Sequence, residues 1–520
     1  MDIKAASTAE YYHEMTKYRP ETIGSHPGMD WDKKPSVFKN YAGAERVDLF
    51  KRLPVENGRL VNFDFNVDAD AVRPSLDAIS RILFFTNGVT GVAQAPGEYH
   101  YYRAAPSAGA LYPTEVYIAV RNHPELPSGI YNLSIRDHEL QRISPPGFGP
   151  EGDELFERLS AAALGHPAIE ASDVCLIFSA IFNRSSWRYG QRAYRRCMLD
   201  TGHVIGNFNA YLPTEKLTTY AISGFVDSEM NELLGLEQQG QSGTPGEGVC
   251  ALYPILGREA YARVFAEFPQ SALRSSPLTG TVRADEPKLL ATLVEATSIR
   301  RKDAALARPS GASLNDQSAR SSPFRFAPGM TFSATPPSML EDIMPVILSR
   351  RSTRAFSGGS LTVDDLRAVL EYAYRYDLAQ PDATLGPRLF APSLLESWIV
   401  VQNVEGIKPG VYFYSPRERQ LSLVDAGDFR KETYFLTLQQ ELAPTAAALL
   451  IHTADLPAAV DLLGNRAYRT LHMDAGHIGE RVNLACIAHK LGVSGIGGFF
   501  DEEVNALLAI PQRQACVYIT

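Results

Sequence analysis

Two stretches of this chain repeat each other with their spacing intact, and nothing else in the sequence constrains the fold as tightly. Glu115-Val-Tyr-Ile-Ala-Val-Arg-Asn122, then Gly129-Ile-Tyr131, recurs as Glu396-Ser-Trp-Ile-Val-Val-Gln-Asn403, then Gly410-Val-Tyr412, at a constant offset of 281. Further on, Arg192-Ala-Tyr-Arg195, Asp200, Gly202-His203, Asn209, Gly224-Phe225, Asp227 and Leu233-Leu234 return at offset 274 as Arg466-Ala-Tyr-Arg469, Asp474, Gly476-His477, Asn483, Gly498-Phe499, Asp501 and Leu507-Leu508. A register held over about forty residues marks a duplication. Ser75 to Leu83 likewise parallels Thr362 to Leu370, each opening on a hydroxyl that can cap a helix.

Each copy reads as a helix, a strand, a hairpin strand, a long helix through the Asp/Gly/His segment, a Gly-Phe turn and a short helix. That mixture predicts an α+β fold. Two copies in one polypeptide predict an intrachain pseudo-dimer, packed as the subunits of a homodimer would be, with sites shared across the seam. The boundaries read as an N-terminal extension over 1–45, a first unit over 46–274, a linker over 275–337 and a second unit over 338–520. The linker is rich in Ser, Pro, Arg and Ala, as in Arg308-Pro-Ser-Gly-Ala-Ser-Leu-Asn-Asp, with one helix expected from Pro287 to Ala296.

A chain of 520 residues that is 45% hydrophobic and 21% charged folds, with room for two or three domains. Its net charge of −9 argues against a nucleic-acid or anionic-membrane binder, whose affinity comes from a basic surface. Cys175, Cys197, Cys250, Cys486 and Cys516 form no CxxC pair and no metal-ligand spacing, so no disulfide framework and no metal site are expected. The first residues, Met1 to Glu14, lack an apolar signal core, and no stretch approaches the roughly 20 apolar residues of a membrane span. A cytoplasmic protein is expected.

Against this acidic background, Ser349-Arg350-Arg351-Ser352-Thr353-Arg354 packs three arginines into six residues just ahead of an amphipathic helix, Leu361 to Tyr374. Guanidinium forks match phosphate oxygens and stay charged, and Ser352 adds a hydroxyl, so Arg350, Arg351, Ser352 and Arg354 make a candidate phosphate site. A second cluster, Leu491-Gly-Val-Ser-Gly-Ile-Gly-Gly-Phe499, holds glycines that permit close backbone approach.

These residues resemble the nitroreductase-like flavoproteins. Ser349 to Arg354 with Phe356 is similar to that family's phosphate motif, the segment containing Ile496, Gly497 and Gly498 to its flavin-ring loop, and Pro106, Ser107, Ala108 and Gly109 to the loop its partner subunit lays against the ring. The first half more narrowly resembles the thiazole/oxazole-forming dehydrogenase branch, through His13, Thr16-Lys17, Met29-Asp-Trp31, Pro35, Phe38-Lys39, Tyr41, Arg103 to Pro113 and Tyr189 to Arg195. The resemblance implies FMN, hydride transfer through flavin N5, NAD(P)H as a transient donor and a small organic acceptor. In azoline-oxidising relatives a Lys-Tyr pair stands where this chain has Arg188-Tyr189. Arginine is a poor base, which argues against azoline oxidation while Tyr189 remains a candidate proton donor.

The halves are not equivalent. The ungapped 281 register sets Pro387-Arg-Leu-Phe390 opposite Pro106 to Gly109, replacing small residues by bulky ones. No arginine cluster precedes Ser75, where Arg73 follows Asp68 and Asp70, and Tyr220-Ala-Ile-Ser-Gly-Phe225 lacks paired glycines. One FMN per chain is therefore expected. Asp200 with His203 and Asp474 with His477 look like acid/base pairs, but their presence in both halves reads as structural, as do Tyr194, Arg195, Tyr468 and Arg469. No GxGxxG in a strand-turn-helix context marks a nicotinamide domain, as expected if NAD(P)H only visits the flavin. The reading is an FMN-dependent oxidoreductase of nitroreductase type. The alternatives are a dehydrogenase acting on a peptide-derived or natural-product heterocycle, and a non-catalytic scaffold that has lost flavin. The expected partner is a small-molecule substrate, with further oligomerisation of the pseudo-dimer left open.

Overall fold

The computed structural model describes residues 7–23, 29–56, 59–60, 73–95, 98–143, 152–236, 244–267, 288–303, 324, 326–327, 329–332, 342–374 and 389–520. The duplicated sequence folds as two similar antiparallel sheets. In spatial order the first runs Arg46–Asp48, Glu139–Ile143, Gly129–Ser134, Thr114–Val120, Val174–Ile181, Glu247–Leu256 and Thr218–Thr219. The second runs Met330–Thr331, Gln420–Ala426, Gly410–Ser415, Glu396–Val401, Ala448–Asp455 and Gln514–Ile519, which is the same connectivity without the last edge strand.

Each sheet is apolar on both faces because each has a core on both sides. Along Thr114–Val120 every residue is buried; Val116, Ile118 and Val120 enter one large core while Tyr117 and Ala119 enter a second, local to the first half. In the other half Ile399 and Val401 join that same large core, whereas Trp398 and Val400 face a third, local one. The period-two alternation of side chains thus sends alternate residues into a core common to both halves and into one of their own.

The common core is built on the two long helices, Ala193–Tyr211 and Ala467–Ala488. They cross where the repeat conserves glycine. A Cβ on Gly202 would sit 2.1 Å from the Met473 carbonyl oxygen, and one on Gly476 would sit 2.2 Å from that of Leu199. Hydrogen alone fits there. Flanking helices are capped as their sequences predict: Ser75 accepts from the Ala78 amide at the head of Leu76–Asn87, and Thr362 from the Asp365 amide at the head of Val363–Ala373.

The duplication extends further than the sequence motifs. Helices Thr8–Met15 and Leu289–Ala296 lie 281 residues apart, so the stretches read as extension and linker each supply the same element. After each helix the chain bridges to the Gly-Phe turn of a repeat, Tyr18 to Phe500 and Ile299 to Val226. Arg192 Nε donates to the Thr16 carbonyl and Arg466 Nη1 to that of Thr297, positions again related by the duplication. The Arg308 stretch, Asp68, Asp70, Pro387 and Arg388 fall outside the described residues.

Buried ion pairs lock the seam with the same logic on both sides. Asp227 accepts from Arg466 at 2.7 Å and Arg469 at 2.8 Å, while its counterpart Asp501 accepts from Arg195 at 2.8 Å. The arginines of each long helix thus reach the turn of the opposite half. Tyr194 and Tyr468 pack within this cluster, bonded to Thr297 and His13.

Candidate functional site

The arginine cluster begins where helix Ile343–Ser349 ends. Its segment runs beside the glycine loop: the Thr353 amide donates to the Val493 carbonyl at 2.8 Å, and the Val493 amide to Thr353 Oγ1 at 2.9 Å. The two candidate cofactor segments of the second half are therefore neighbours. The arginines, however, do not act alike. Arg350 is buried, with Nε donating to the Ala104 carbonyl at 2.6 Å and Nη2 to that of Arg103 at 3.0 Å. Arg351 donates to the Thr90 carbonyl at 2.9 Å and to the Arg350 carbonyl at 2.6 Å, beside the Tyr102 ring. Of the four groups expected to hold a phosphate, Arg350 and Arg351 thus already bond backbone carbonyls of the first half. Two guanidinium forks clamp the hairpin Val89–Ala95 and Glu98–Arg103 of the first half, satisfying carbonyls that the seam would otherwise bury unpaired. Ser352 and the exposed Arg354 make no side-chain hydrogen bond or ion pair among the described residues.

Across the seam, Asp200 holds the first-half loop. Ser107 Oγ donates to it at 2.5 Å and the Ala108 amide at 3.1 Å, with Pro106 partly exposed beside them. Gly109 has φ of 66°, and a Cβ there would lie 2.9 Å from the Tyr189 hydroxyl and 3.1 Å from Arg188 Cδ. The positive φ favours glycine there, and a side chain would crowd Tyr189 and Arg188. Burial pushes the Tyr189 hydroxyl above its ordinary range, against the lowering effect of Arg196 and Arg188, so it stays protonated and able to donate.

Arg196 joins the two loops. Its guanidinium lies 5.3 Å from the Tyr189 ring centre, and a Cβ on Gly497 would meet its Nη1 at 2.8 Å. Gly497 and Gly498 donate no amide hydrogen bond among the described residues. Ile496, expected at the flavin ring, donates its amide to the Ile519 carbonyl at 2.8 Å and sends its side chain into the local core, which anchors the loop.

Behind the glycine loop runs a buried polar chain. His203 Nδ1 lies 2.9 Å from Glu480 Oε2 and Nε2 lies 2.9 Å from the Tyr518 hydroxyl, whose oxygen leaves no room for a Cβ on Gly495. The Asp200 and His203 pair thus engages separate partners, one holding the Ser107 loop and the other the opposite helix. A cavity of about 290 Å³ adjoins the loop at Gly492, Val493 and Ser494, between Phe356 and the apolar Leu366, Val369 and Leu450.

The mirror position is filled. Asp474, the counterpart of Asp200, accepts from the amides of Phe390 at 2.9 Å and Ala391 at 2.7 Å. Phe390 and Ala391 therefore sit on Asp474 as Ala108 sits on Asp200. The buried Phe390 ring packs on Tyr253 at 6.0 Å. Thr470 occupies the place of Arg196. The sequence motifs missed Arg196, although this Arg/Thr difference at offset 274 was the signal that marks it.

Fold and seam define a tandem α+β protein in which two duplicated units share one core. The chain belongs to the nitroreductase family: the family model matches residues 67–245 and 347–520. It is similar along almost its whole length to a crystal structure of a candidate nitroreductase from Anabaena variabilis, with 35% identity, a TM-score of 0.82 and coverage of 99% of this chain and 98% of that one. A candidate nitroreductase of Methanocaldococcus jannaschii is 30% identical over 173 residues, 33% of this chain and 85% of that protein. The trifolitoxin-processing protein TfxB of Rhizobium leguminosarum bv. trifolii is 29% identical over 192 residues, 33% of this chain and 48% of that protein.

Proposed function

We propose that this protein is an FMN-dependent oxidoreductase with one flavin site per chain, built across the seam. The observation that carries the reading is the convergence of Gly109, Tyr189, Arg196 and Gly497 from opposite halves, set against a mirror position plugged by Phe390. The residues present fit the group. A Cβ on Gly109, Gly495 or Gly497 would crowd a facing side chain to within 3.0 Å, and among the described residues the amides of Gly497 and Gly498 and the side chains of Ser352 and Arg354 have no hydrogen-bond partner.

In this reading Ser352 and Arg354 hold the phosphate, while Arg350 and Arg351 fix the segment to the first half. The amides of Gly497 and Gly498 serve the ring edge where negative charge develops, and Pro106 to Gly109 form the opposing wall. Bound FMN would supply hydride transfer at N5 from NAD(P)H to a small organic acceptor. Tyr189 keeps its proton at neutral pH and can deliver it to an acceptor. Arg188 beside it stays charged and orients anionic groups instead of accepting a proton.

The likeness to TfxB favours a second reading, in which a peptide-derived or natural-product heterocycle is oxidised and itself supplies the electrons. The visible spectrum of purified protein, recorded before and after anaerobic NADPH, separates these. One flavin per chain that bleaches supports the nicotinamide-driven reading. A bound flavin that does not bleach selects the heterocycle dehydrogenase. Two flavins per chain sink the single-site argument, and none makes the protein a scaffold.

A further inference from the structure

Arg196 is a buried cation with no bonded anion among the described residues; the Asp200 carboxylate, one turn along the helix, feels its charge and is itself tied to Ser107 and Ala108. It is 4% exposed, yet among the described residues its guanidinium makes no hydrogen bond and no ion pair. Its neighbours on the same helix are all engaged: Arg192 and Arg195 bond residues at the end of the N-terminal helix, Arg195 also pairs with Asp501, and Asp200 holds Ser107 and Ala108. What Arg196 does face is the Tyr189 ring and the Gly497 backbone, one from each half. Burying an unpaired charge is costly, and a fold tolerates it where something outside the chain completes the pair. The mirror half has Thr470 at this position and a phenylalanine in the adjoining loop, so the charge is present where the seam is open and absent where it is closed.

We propose that Arg196 pairs with the reduced flavin and sets its potential, an inference that rests on the flavin reading above. A hydride brings two electrons and one proton to a neutral oxidised ring, so the ring becomes an anion unless a second proton follows. A fixed positive charge in a water-poor seam stabilises that anion more than the neutral oxidised form, and so makes the flavin easier to reduce. Arg196 acts on reduction without exchanging a proton, because a guanidinium stays charged.

The test is the two-electron midpoint potential of the FMN-loaded protein, for wild type, Arg196→Thr, Arg196→Gln and Arg196→Lys. Arg196→Thr installs the mirror half's residue. It should weaken binding of reduced relative to oxidised flavin at least tenfold, lowering the potential by about 30 mV or more. Arg196→Gln should shift it the same way and carries the prediction if the threonine variant does not fold, while Arg196→Lys should keep most of the wild-type value. Neutral variants that bind FMN at an unchanged potential overturn the proposal, as does a lysine variant shifted as far as threonine, which would mark a packing role. Failure of wild type to take up any FMN overturns the flavin reading itself and this inference with it.

Discussion

At the scale of single residues, the duplication lets the same side chain be compared in an open and a closed setting. Asp200 and Asp474 both accept backbone amides inside the seam, and burial pushes both carboxyls up, to about 6 and about 7. An unfolded aspartate titrates near 3.9, so the folded chain binds more protons between that value and the raised one. The contribution of Asp474 is therefore fully present below about pH 4 and lost as pH rises through about 7. Wild type should gain thermal stability relative to Asp474→Asn as pH is lowered from 8 to 5, and parallel melting curves across that range would refute the assignment. Asp200→Ala removes the partner of Ser107 and Ala108. Charged hydrogen bonds are worth roughly 1.5–3 kcal/mol each, so loosening of the loop should weaken FMN affinity about tenfold or more in a fluorescence titration.

At the scale of elements, the two long helices approach as closely as they do because glycine faces backbone on each. Gly202→Ala places a methyl group 2.1 Å from a carbonyl oxygen, so the helices must separate. A loss of at least about 1–3 kcal/mol is expected by denaturant unfolding, the range for overpacked cores. Thr362→Ala removes one cap from a surface helix and should cost about 1 kcal/mol. An equal effect for the two would mean the crossing tolerates expansion. Element boundaries show where local sequence suffices. The helix expected over 361–374 forms as Val363–Ala373, and that expected over 287–296 forms as Leu289–Ala296, since caps and apolar spacing are local signals. That Leu289–Ala296 is the mate of Thr8–Met15 was not legible, because the two share position and backbone bonding but little side-chain identity.

At the scale of the whole molecule, one continuous core contains residues of both halves, among them Val116, Ile118, Ile399 and Val401. The described parts of the chain should therefore unfold in a single cooperative transition; two separated calorimetric peaks would show independent halves. Asp227→Ala would leave Arg466 and Arg469 buried together without their carboxylate. Breaking a buried pair from one side costs about 3–5 kcal/mol, so the variant should lose much of its stability, measured as a fall in melting temperature.

The sequence by itself determined the duplication, the α+β class, the shared seam and the inequality of the halves, because each rests on residue identities kept or lost at fixed spacing. Small residues at 106–109 against Phe390, and paired glycines against Ser223-Gly224, are differences of volume that can be read without coordinates. Tertiary structure alone decided how the charged groups are used. Arg350, Arg351, Arg354 and Arg196 are chemically identical, yet two clamp backbone carbonyls across the seam, one is exposed and one is buried with no bonded partner among the described residues. A guanidinium's role is set by what lies within hydrogen-bond reach, and the carbonyls that Arg350 and Arg351 hold in the first half lie 246 and 261 residues away in the chain.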